Sequence, residues 1–215
     1  MTRVALIHAL AHSVAPINEA LSRDWPECRR MNLLDDSLSV DLAARAGGLD
    51  EAMTARFIAL GDYAVGTGAD AILFTCSAFG PCIEAVARRH AGVPVLKPNE
   101  AMIEDAVAST GRIGLVASFA PTLQSMPAEF PHGTDLRLAL AEGALAALDR
   151  GDVALHDECV ASAARQLAQQ GCDVIALAQF SLARSRPHVA ESTGLPVLDT
   201  VSSAVRALKR RLQAA

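Results

Sequence analysis

The chain has 215 residues, of which 51% are hydrophobic and 20% are charged. This composition suits one large or two small globular domains with a sizeable core. The formal net charge of −5 argues against a nucleic-acid partner or an anionic membrane surface, because both recruit basic faces. No apolar run in the sequence reaches the roughly 18 residues that a membrane span requires.

Predicted strands and helices alternate along the chain. Short apolar runs without polar alternation predict parallel strands buried on both faces, over residues 4–9, 71–75, 113–117 and 174–178. Weaker strand candidates cover residues 28–33 and 135–140. Apolar residues at helical spacing predict long helices over residues 49–66 and 152–170, each followed by a glycine stop.

Three segments of the first half recur in the second half, in the same order and at nearly constant separation. The matching pairs are Arg3-Val4-Ala5-Leu6-Ile7 with Arg112-Ile113-Gly114-Leu115-Val116, Gly68-Ala69-Asp70-Ala71-Ile72 with Gly171-Cys172-Asp173-Val174-Ile175, and Gly92-Val93-Pro94-Val95-Leu96 with Gly194-Leu195-Pro196-Val197-Leu198. The repeat predicts an α/β protein with two pseudo-symmetric doubly wound parallel-sheet domains from an internal duplication. We expect residues 1–98 with 200–215 in the first domain, residues 99–199 in the second, and a ligand site in the cleft between them.

The five cysteines are irregularly spaced and form neither a Cys-x-x-Cys pair nor a zinc-finger pattern. We therefore expect no disulfide framework, no metal site and a reducing cytoplasmic location. The apolar N-terminus is not expected to be a signal peptide, because His8 and His12 interrupt it and a related segment recurs inside the chain.

Cys76 ends a predicted strand, between Thr75 and Ser77, at a point where strand gives way to helix. A thiol at a helix N-terminus feels the positive end of the helix dipole, so we expect its pKa to fall below about 8.5. Free N–H groups and the two hydroxyls predict a pocket for a substrate carboxylate beside the sulfur. That arrangement suits proton transfer at the α-carbon, although a free cysteine often simply packs in the core.

Gln179 occupies the corresponding position of the second repeat. Its amide is predicted to donate a hydrogen bond to a developing enediolate. Further polar residues near predicted strand ends are candidates for substrate binding, namely His12, Ser13, Ser118, Thr122 and Ser181. Ser118 and Thr122 could alternatively cap the next helix, and a lone histidine is more often a surface residue than a catalyst.

No cofactor is expected. The sequence has no phosphate-binding glycine loop, no Gly-x-Ser-x-Gly elbow and no His-Glu-x-x-His motif. The Gly66-Thr67-Gly68 stretch precedes its strand and so cannot cradle a dinucleotide phosphate. No lysine follows a predicted strand, where a pyridoxal Schiff base would be expected.

The chain resembles the aspartate/glutamate/hydantoin racemase superfamily, which also contains arylmalonate decarboxylase and maleate isomerase. The resemblance covers nearly the whole chain and is carried by the duplicated halves, the segment Asp-Ala-Ile-Leu-Phe-Thr-Cys-Ser at 70–77 and the parallel segment at 173–181. It implies a cofactor-independent enzyme and a homodimer. The racemases of this superfamily use two cysteines, one per half, that act on opposite faces of the α-carbon. Carried over, Cys76 is the first cysteine, Thr75 and Ser77 bind the carboxylate, and the second cysteine position falls on Gln179.

An amide cannot act as a base, so racemisation by a cysteine pair would need a substitute for Gln179, such as His12 or a displaced cysteine. Three interpretations stay open for a small carboxylate or amino-acid-derived substrate. The first is a racemase or isomerase with Cys76 as acid and base. The second is a one-thiol decarboxylase in which Cys76 protonates one face. Arylmalonate decarboxylase likewise keeps one cysteine of the pair, in the opposite half. The third is a carboxylate-binding protein without catalysis, and a thiol-redox role is a weak fourth.

Overall fold

The computed structural model describes residues 1–109 and 111–213. Two compact units make up the chain: residues 1–98 with the chain from 204 onward, and residues 99–203. Each unit holds a four-stranded parallel sheet with surrounding helices, which confirms the predicted α/β class with two parallel-sheet domains. Residues 214 and 215, which the predicted first domain includes, lie outside the described residues. The predicted ligand site between the domains stays a prediction.

The first unit has the strand order β2-β1-β3-β4, and all neighbouring strands are parallel. Its strands are β1 Arg3–His8, β2 Arg29–Leu34, β3 Ala71–Phe74 and β4 Val95–Leu96. Its helices are α1 Val14–Asp24, α2 Ser37–Ala44, α3 Glu51–Gly66 and α4 Gly80–Arg89.

The second unit repeats this order as β6-β5-β7-β8, again with parallel neighbours. Its strands are β5 Ile113–Ala117, β6 Leu136–Leu140, β7 Val174–Leu177 and β8 Val197–Asp199. Its helices are α5 Glu100–Ala108, α6 Ala120–Ser125, α7 Ala144–Asp149, α8 Val153–Gln169 and α9 Arg186–Thr193. Helix α10, Thr200–Gln213, begins in this unit, and its residues from 204 onward belong to the first.

The six predicted strands and both predicted long helices are confirmed, with ends that differ by at most two residues. Strands β4 and β8 are only two and three residues long. A run that short carries no hydrophobic pattern of its own, so the sequence marks it only as part of a repeated Gly-x-Pro-Val-Leu segment.

The central strands form the core of each unit. Every residue of β3, β5 and β7 is buried, as expected for strands covered by helices on both faces. Strands β2 and β6 lie at sheet edges and alternate between half-buried and exposed residues. Their weaker sequence signal follows from this partial exposure.

An arginine and an aspartate join the amino ends of the central strands in both units. The backbone N–H of Arg3 donates to the Asp70 carboxylate at 2.7 Å, and that of Arg112 donates to Asp173 at the same distance. In return, the N–H of each aspartate donates to the arginine carbonyl at 2.8 Å. The repeated sequence therefore corresponds to repeated local structure.

Some chemical features of the described chain constrain the search for a site. All five cysteines are free thiols. Within residues 1–109 and 111–213, no helix is long and apolar enough to cross a membrane. The same residues contain no cluster of three or more side chains that could hold a metal ion.

Candidate active site

The two central strands of each sheet end side by side at the point where the strand order reverses. This switch point is where open α/β sheets bind ligands, beyond the carboxyl ends of the strands. We call the end of β1 and β3 the Cys76 edge, and the end of β5 and β7 the Gln179 edge. The predicted residues that follow these strands are His12, Ser13, Thr75, Cys76 and Ser77 at the Cys76 edge, and Ser118, Thr122, Gln179 and Ser181 at the Gln179 edge.

Cys76 immediately precedes a short 3-10 turn, Ser77–Phe79, which runs directly into α4. The N–H of Ala78 hydrogen-bonds the sulfur, so the thiol does lie at a helix start as the sequence predicts. Thr75 and Ser77 on either side are buried, whereas Cys76 keeps partial exposure. Cys76 is therefore the most exposed residue of this trio, although its sulfur is largely withdrawn from water.

The predicted low pKa of Cys76 is wrong. Burial raises the pKa of the thiol to about 11, and hydrogen bonds from the Ala78 N–H and the Ser39 hydroxyl lower it by less. Removing the sulfur from water penalises the thiolate more than two hydrogen bonds stabilise it. The thiol is consequently protonated near neutral pH, which suits a proton donor better than a base.

Ser39 is a site residue that sequence reasoning missed. It lies on α2, its hydroxyl donates to the Ala9 carbonyl at 2.6 Å, and its proximity to Cys76 lowers the pKa of the thiol by less than burial raises it. The serine is 37 residues before the cysteine in the chain, and no local motif links the two. Only the packing of α2 beside the carboxyl end of β1 brings them together.

His8 and Thr75 form a buried bridge across the switch point of the first unit. His8 ends β1 and is fully buried, with Nδ1 2.8 Å from Thr75 Oγ1 and Nε2 3.0 Å from Asn32 Oδ1. Asn32 on β2 exchanges two hydrogen bonds with Asn18 on α1, at 2.8 and 3.2 Å. The sequence flags His8 only as an interruption of an apolar run and does not show these partners.

The contacts of this network fix the tautomer of His8. Asn18 Nδ2 donates to the Val14 carbonyl at 2.7 Å and also to Asn32, so the Asn32 atom is the amide oxygen. His8 Nε2 must donate to that oxygen, which leaves Nδ1 to accept from the Thr75 hydroxyl. Burial lowers the pKa of His8 more than the Asn32 hydrogen bond raises it, which favours the neutral ring.

This tautomer bears on the predicted role of Thr75. In this arrangement the Thr75 hydroxyl proton points to His8, so it is not offered to a carboxylate. A bound carboxylate at this edge would instead be served by backbone N–H groups of the turn after Cys76. Direct contact between Thr75 and substrate stays a prediction.

The remaining candidates of the Cys76 edge lie where the sequence predicts, near the ends of β1 and β3. His12 is half-buried and Ser13 is buried, both in the 3-10 turn Ala11–Ser13 that follows β1. Ser77 is also buried. Because β1 and β3 are neighbours, these residues share an edge with Cys76. Their contact with substrate stays a prediction.

Gln179 is held in one orientation by the start of the β5–α6 connection. Its Oε1 accepts from the Ser118 N–H at 2.6 Å, the Ser118 hydroxyl at 3.2 Å and the Phe119 N–H at 3.2 Å. Three donors around one atom identify it as the oxygen. Neither proton of Nε2 has an acceptor in the described part of the chain, so this amide group is positioned as a hydrogen-bond donor. The donors of Ser118, by contrast, are used to hold Gln179.

Unpaired hydroxyls lie at the carboxyl edge of the second sheet. Ser181 is buried, and its Oγ has no hydrogen-bond partner among the described residues. Thr200, which directly follows β8, is buried and unpaired in the same sense. Buried polar atoms without partners are uncommon in folded proteins, and a ligand is one way to satisfy them. Sequence reasoning missed Thr200, because β8 was not recognised as a strand. Thr122 on α6 is fully buried, and the claim of an unpaired hydroxyl does not extend to it.

The expectation that no lysine follows a strand is wrong, because Lys97 comes directly after β4. Its ammonium lies 2.9 Å from the Glu84 carboxylate on α4. A Schiff base requires a neutral amine, and an ion pair favours the charged form. The lysine was missed because β4 is too short to be recognised from the sequence.

Two cavities of the second unit lie away from the Gln179 edge. One of about 540 Å³ opens beside Arg112, Asp135 and Asp173, at the amino ends of the strands. The other lies between Leu140 and Cys159. Neither is lined by a predicted site residue, so the candidate site is defined by the strand ends and their hydrogen bonds.

Solved structures of racemases share this fold. A glutamate racemase isoform from Bacillus anthracis matches 99% of this chain and 82% of its own, at 13% identity and a TM-score of 0.78. Allantoin racemase from Klebsiella pneumoniae matches 100% of this chain and 89% of its own, at 17% identity and a TM-score of 0.74. Aspartate racemase from Picrophilus torridus matches 94% of this chain and 90% of its own, at 13% identity and a TM-score of 0.67. At these identities the likeness shows the fold alone.

Sequence comparison gives the family. No curated protein matches the chain. A family model described as Asp/Glu/hydantoin racemase matches residues 16–208, a span that includes both Cys76 and Gln179. The chain therefore belongs to the Asp/Glu/hydantoin racemase family.

Proposed function

We propose that the protein is a cofactor-independent isomerase of the racemase family that transfers a proton at the α-carbon of a small carboxylate or amino-acid derivative. Family membership supports a racemase-like isomerase. Cys76 is the proposed acid and base, and the substrate carboxylate is proposed to bind the N–H groups of the turn that follows it. The roles proposed for Cys76 and for the turn rest on the geometry of these residues, whereas the isomerase class rests on family membership.

The observation that carries the proposal is the position of the Cys76 thiol. Cys76 is a partly exposed residue at the switch point of the first sheet, and it precedes a helical turn. The N–H of Ala78 on the sulfur stabilises a thiolate when the proton leaves. A protonated thiol in that place can deliver a proton to a carbanion.

The second residue of the proposal is Gln179, acting as a hydrogen-bond donor. Its oxygen is anchored by three donors, which directs the protons of Nε2 away from that anchor. An amide donor stabilises negative charge that develops on a carboxylate oxygen as the α-carbon loses its proton. Gln179 cannot itself remove a proton, so a racemase would need a second base, and His12 or a displaced cysteine are the candidates that the sequence names.

A one-thiol decarboxylase is the second candidate function, and the raised pKa of Cys76 favours it. In that reaction the bond from the α-carbon to a carboxylate breaks, carbon dioxide leaves, and the electron pair stays on the substrate as an enediolate. The Cys76 thiol then protonates the α-carbon on one face, and the thiolate recovers a proton from water. No base is required before carbon dioxide leaves, so a single protonated thiol suffices.

Proton NMR in D2O distinguishes these reactions. The panel comprises aspartate, glutamate, hydantoins, allantoin, and aryl- and alkylmalonates, each incubated with wild-type protein and with Cys76→Ala. Uptake of deuterium at the α-carbon with inversion, lost in Cys76→Ala, supports the isomerase. Loss of carbon dioxide with one deuterium delivered to one face supports the decarboxylase.

The same panel can overturn both enzyme functions. Turnover that survives Cys76→Ala contradicts the role of the thiol in either reaction. Carboxylate binding by thermal shift, without deuterium uptake or loss of carbon dioxide in any sample, contradicts catalysis and leaves a binding protein. The partly exposed Cys159 provides a matched control, because Cys159→Ala removes a thiol that lies on α8 and does not follow a central strand.

A further inference from the structure

Three uncharged polar side chains of the second unit are buried without hydrogen-bond partners. Asn99 and Thr200 are fully buried, and Ser181 is 1% exposed. Neither the nitrogen nor the oxygen of the Asn99 amide has a partner among the described residues, and the hydroxyls of Ser181 and Thr200 have none either. A buried polar atom without a partner costs stability, so these four atoms require an explanation.

Helices α5 and α10 begin at the same edge of the second sheet. Because α5 leads into the amino end of β5 and packs along β7 and β8, its own start lies at the carboxyl ends of the strands. Helix α10 follows β8 directly and so begins at that edge as well. The Ser203 hydroxyl on α10 donates to the Asp105 carboxylate on α5 at 2.6 Å. The two helices therefore lie side by side and run in the same direction.

Two of the unpaired side chains lie at these helix starts. Asn99 directly precedes α5, six residues ahead of Asp105, and its side chain does not cap the helix. Thr200 is the first residue of α10, three residues ahead of Ser203. At a rise of about 1.5 Å per residue, Asn99 and Thr200 lie within about one helical turn of the same height.

The same edge carries Gln179. Strands β7 and β8 pair with Leu177 opposite Asp199, so Thr200 lies beside the chain that leads from β7 to Gln179. Ser181 follows Gln179 by two residues, in the 3-10 turn after β7. We call the three unpaired side chains the uncharged cluster, namely Asn99, Ser181 and Thr200.

The charged residues at the two helix starts disfavour a second carboxylate in the uncharged cluster. Glu100 lies in the first turn of α5, and Asp199 is buried directly before α10, where it already accepts from the Ser202 N–H. Arg186 is already paired with Asp199 at 3.0 Å. A buried anion needs a cation or several donors to replace its water, whereas an uncharged amide needs donors and acceptors alone. The Asn99 amide and the two hydroxyls provide both.

We propose that Asn99, Ser181 and Thr200 form a subsite beside Gln179 that binds an uncharged amide group of the substrate. This inference rests on the proposed function, because it assigns a further group to the small carboxylate of that reaction. A substrate with one carboxylate and one amide is therefore preferred to the corresponding dicarboxylate.

The stability of the ligand-free protein tests the cluster without any turnover. Thr200→Val removes an unpaired hydroxyl and keeps the shape of the side chain, so the midpoint of thermal unfolding should rise by about 3 °C. Thr193→Val is the matched control, because the Thr193 hydroxyl donates to the Val189 carbonyl at 2.7 Å and accepts from the Leu195 N–H at 3.3 Å. That variant should unfold at a lower temperature than wild type. An unchanged or lower midpoint in Thr200→Val would overturn the proposal.

Matched pairs of ligands test the chemistry of the subsite. Thermal shift and isothermal titration calorimetry compare asparagine with aspartate and glutamine with glutamate, each as the racemate. We expect wild type to bind the amide of each pair more tightly than the dicarboxylate. Thr200→Val and Asn99→Leu should bind the amides at least about tenfold more weakly, whereas Thr193→Val should bind them like wild type. Equal binding within each pair, tighter binding of the dicarboxylates, or no binding of any of the four would overturn the proposal.

Deuterium uptake separates this inference from the proposed function. Amide binding that is lost in Thr200→Val, without uptake of deuterium at the α-carbon by wild type, would support the subsite and contradict the proposed reaction. Cys76-dependent uptake that is unchanged in Asn99→Leu and Thr200→Val would contradict the subsite alone.

Discussion

The amino ends and the carboxyl ends of the two sheets have diverged to different extents. At the amino ends, Arg3 with Asp70 and Arg112 with Asp173 make the same reciprocal backbone contacts at the same distances. At the carboxyl ends, the side chains that follow the strands differ in chemistry and in their hydrogen bonds. The scaffold is duplicated, and the candidate chemistry belongs to one copy.

The two units begin to differ in the side chain of the residue that follows the central strand, although its backbone hydrogen bond is the same in both. The N–H of Thr75 donates to Ile7 at 3.0 Å, and the N–H of Ala178 donates to Val116 at 2.9 Å, so the two units are in register at this point. In the first unit the Thr75 side chain then reaches His8. An alanine side chain makes no such bond, so the second unit has no polar bridge at this position.

The next residue in each unit carries the proposed function. Cys76 can give and recover a proton, whereas the Gln179 amide can form hydrogen bonds but cannot transfer a proton. Gln179 receives its orientation from Ser118 and Phe119, whose N–H groups point to one amide oxygen. The comparison teaches that the position corresponding to Cys76 in the second unit holds an oriented polar group and not an apolar side chain.

Gln179→Glu provides the largest expected effect on this comparison. The carboxylate can still accept the three hydrogen bonds from Ser118 and Phe119, so we expect the fold to be kept. It has no Nε2 protons and carries a negative charge, which disfavours an anionic substrate. We expect kcat/KM to fall about 100-fold, whereas Gln179→Asn, which retains an amide, should fall less.

Steady-state kinetics on the substrate found by NMR measures this effect, with urea unfolding as the check on stability. Equal losses in Gln179→Glu and Gln179→Asn would indicate that side-chain length matters and the amide donor does not. Wild-type kinetics in both variants would show that Gln179 has no role in the reaction.

Substitution of the N-cap residues of α3 and α8 is expected to have a smaller effect, on stability. It tests whether the two helices begin in the same way. Asp50 accepts from the Met53 N–H at 2.7 Å at the start of α3, and Asp152 accepts from the Leu155 N–H at 3.1 Å at the start of α8. Each cap substituted by alanine should lower the free energy of unfolding by about 1 kcal/mol. Chemical denaturation of both variants checks this, and a cost at one position only would contradict equivalent helix starts.

The smallest expected effect is a pH dependence that arises from His8 of the first unit. Burial lowers the pKa of His8 in the folded protein, whereas in the unfolded chain the same ring has a pKa of about 6.5. Between these two values the unfolded state holds a proton that the folded state does not, so the free energy of unfolding falls as the pH drops below about 6.5.

His8→Asn removes this titration and keeps an oxygen that can accept from Thr75. Wild type should therefore lose more stability than His8→Asn between pH 7 and pH 5, when thermal unfolding of both is followed across that range. Parallel pH profiles for the two proteins would show that the His8 ring takes up its proton equally well in the folded state.

The fold could be read from the sequence because its signals are local. Strand β7 is a run of four buried apolar residues, and α8 begins at the capping Asp152 and ends beside a glycine. The repeated segments then supplied the two-sheet arrangement. The short strands β4 and β8 escaped, since two or three residues carry no period.

The candidate site was only partly predictable. Cys76 and Gln179 could be proposed because each lies two residues beyond the end of a central strand, close to the strand end that the sequence predicts. Ser39 was missed, and the pKa of Cys76 was predicted in the wrong direction, because proximity and burial depend on residues distant in the chain. The bridge between His8 and Thr75 escaped for the same reason.

The most direct test of the account is deuterium delivery to the α-carbon in D2O by wild type, Cys76→Ala and the control Cys159→Ala. The account predicts that wild type and Cys159→Ala place deuterium on the α-carbon at similar rates, and that Cys76→Ala is slower by about 1,000-fold while still folded. Deuterium delivery by Cys76→Ala at the wild-type rate would contradict the assignment of this thiol as the acid and base.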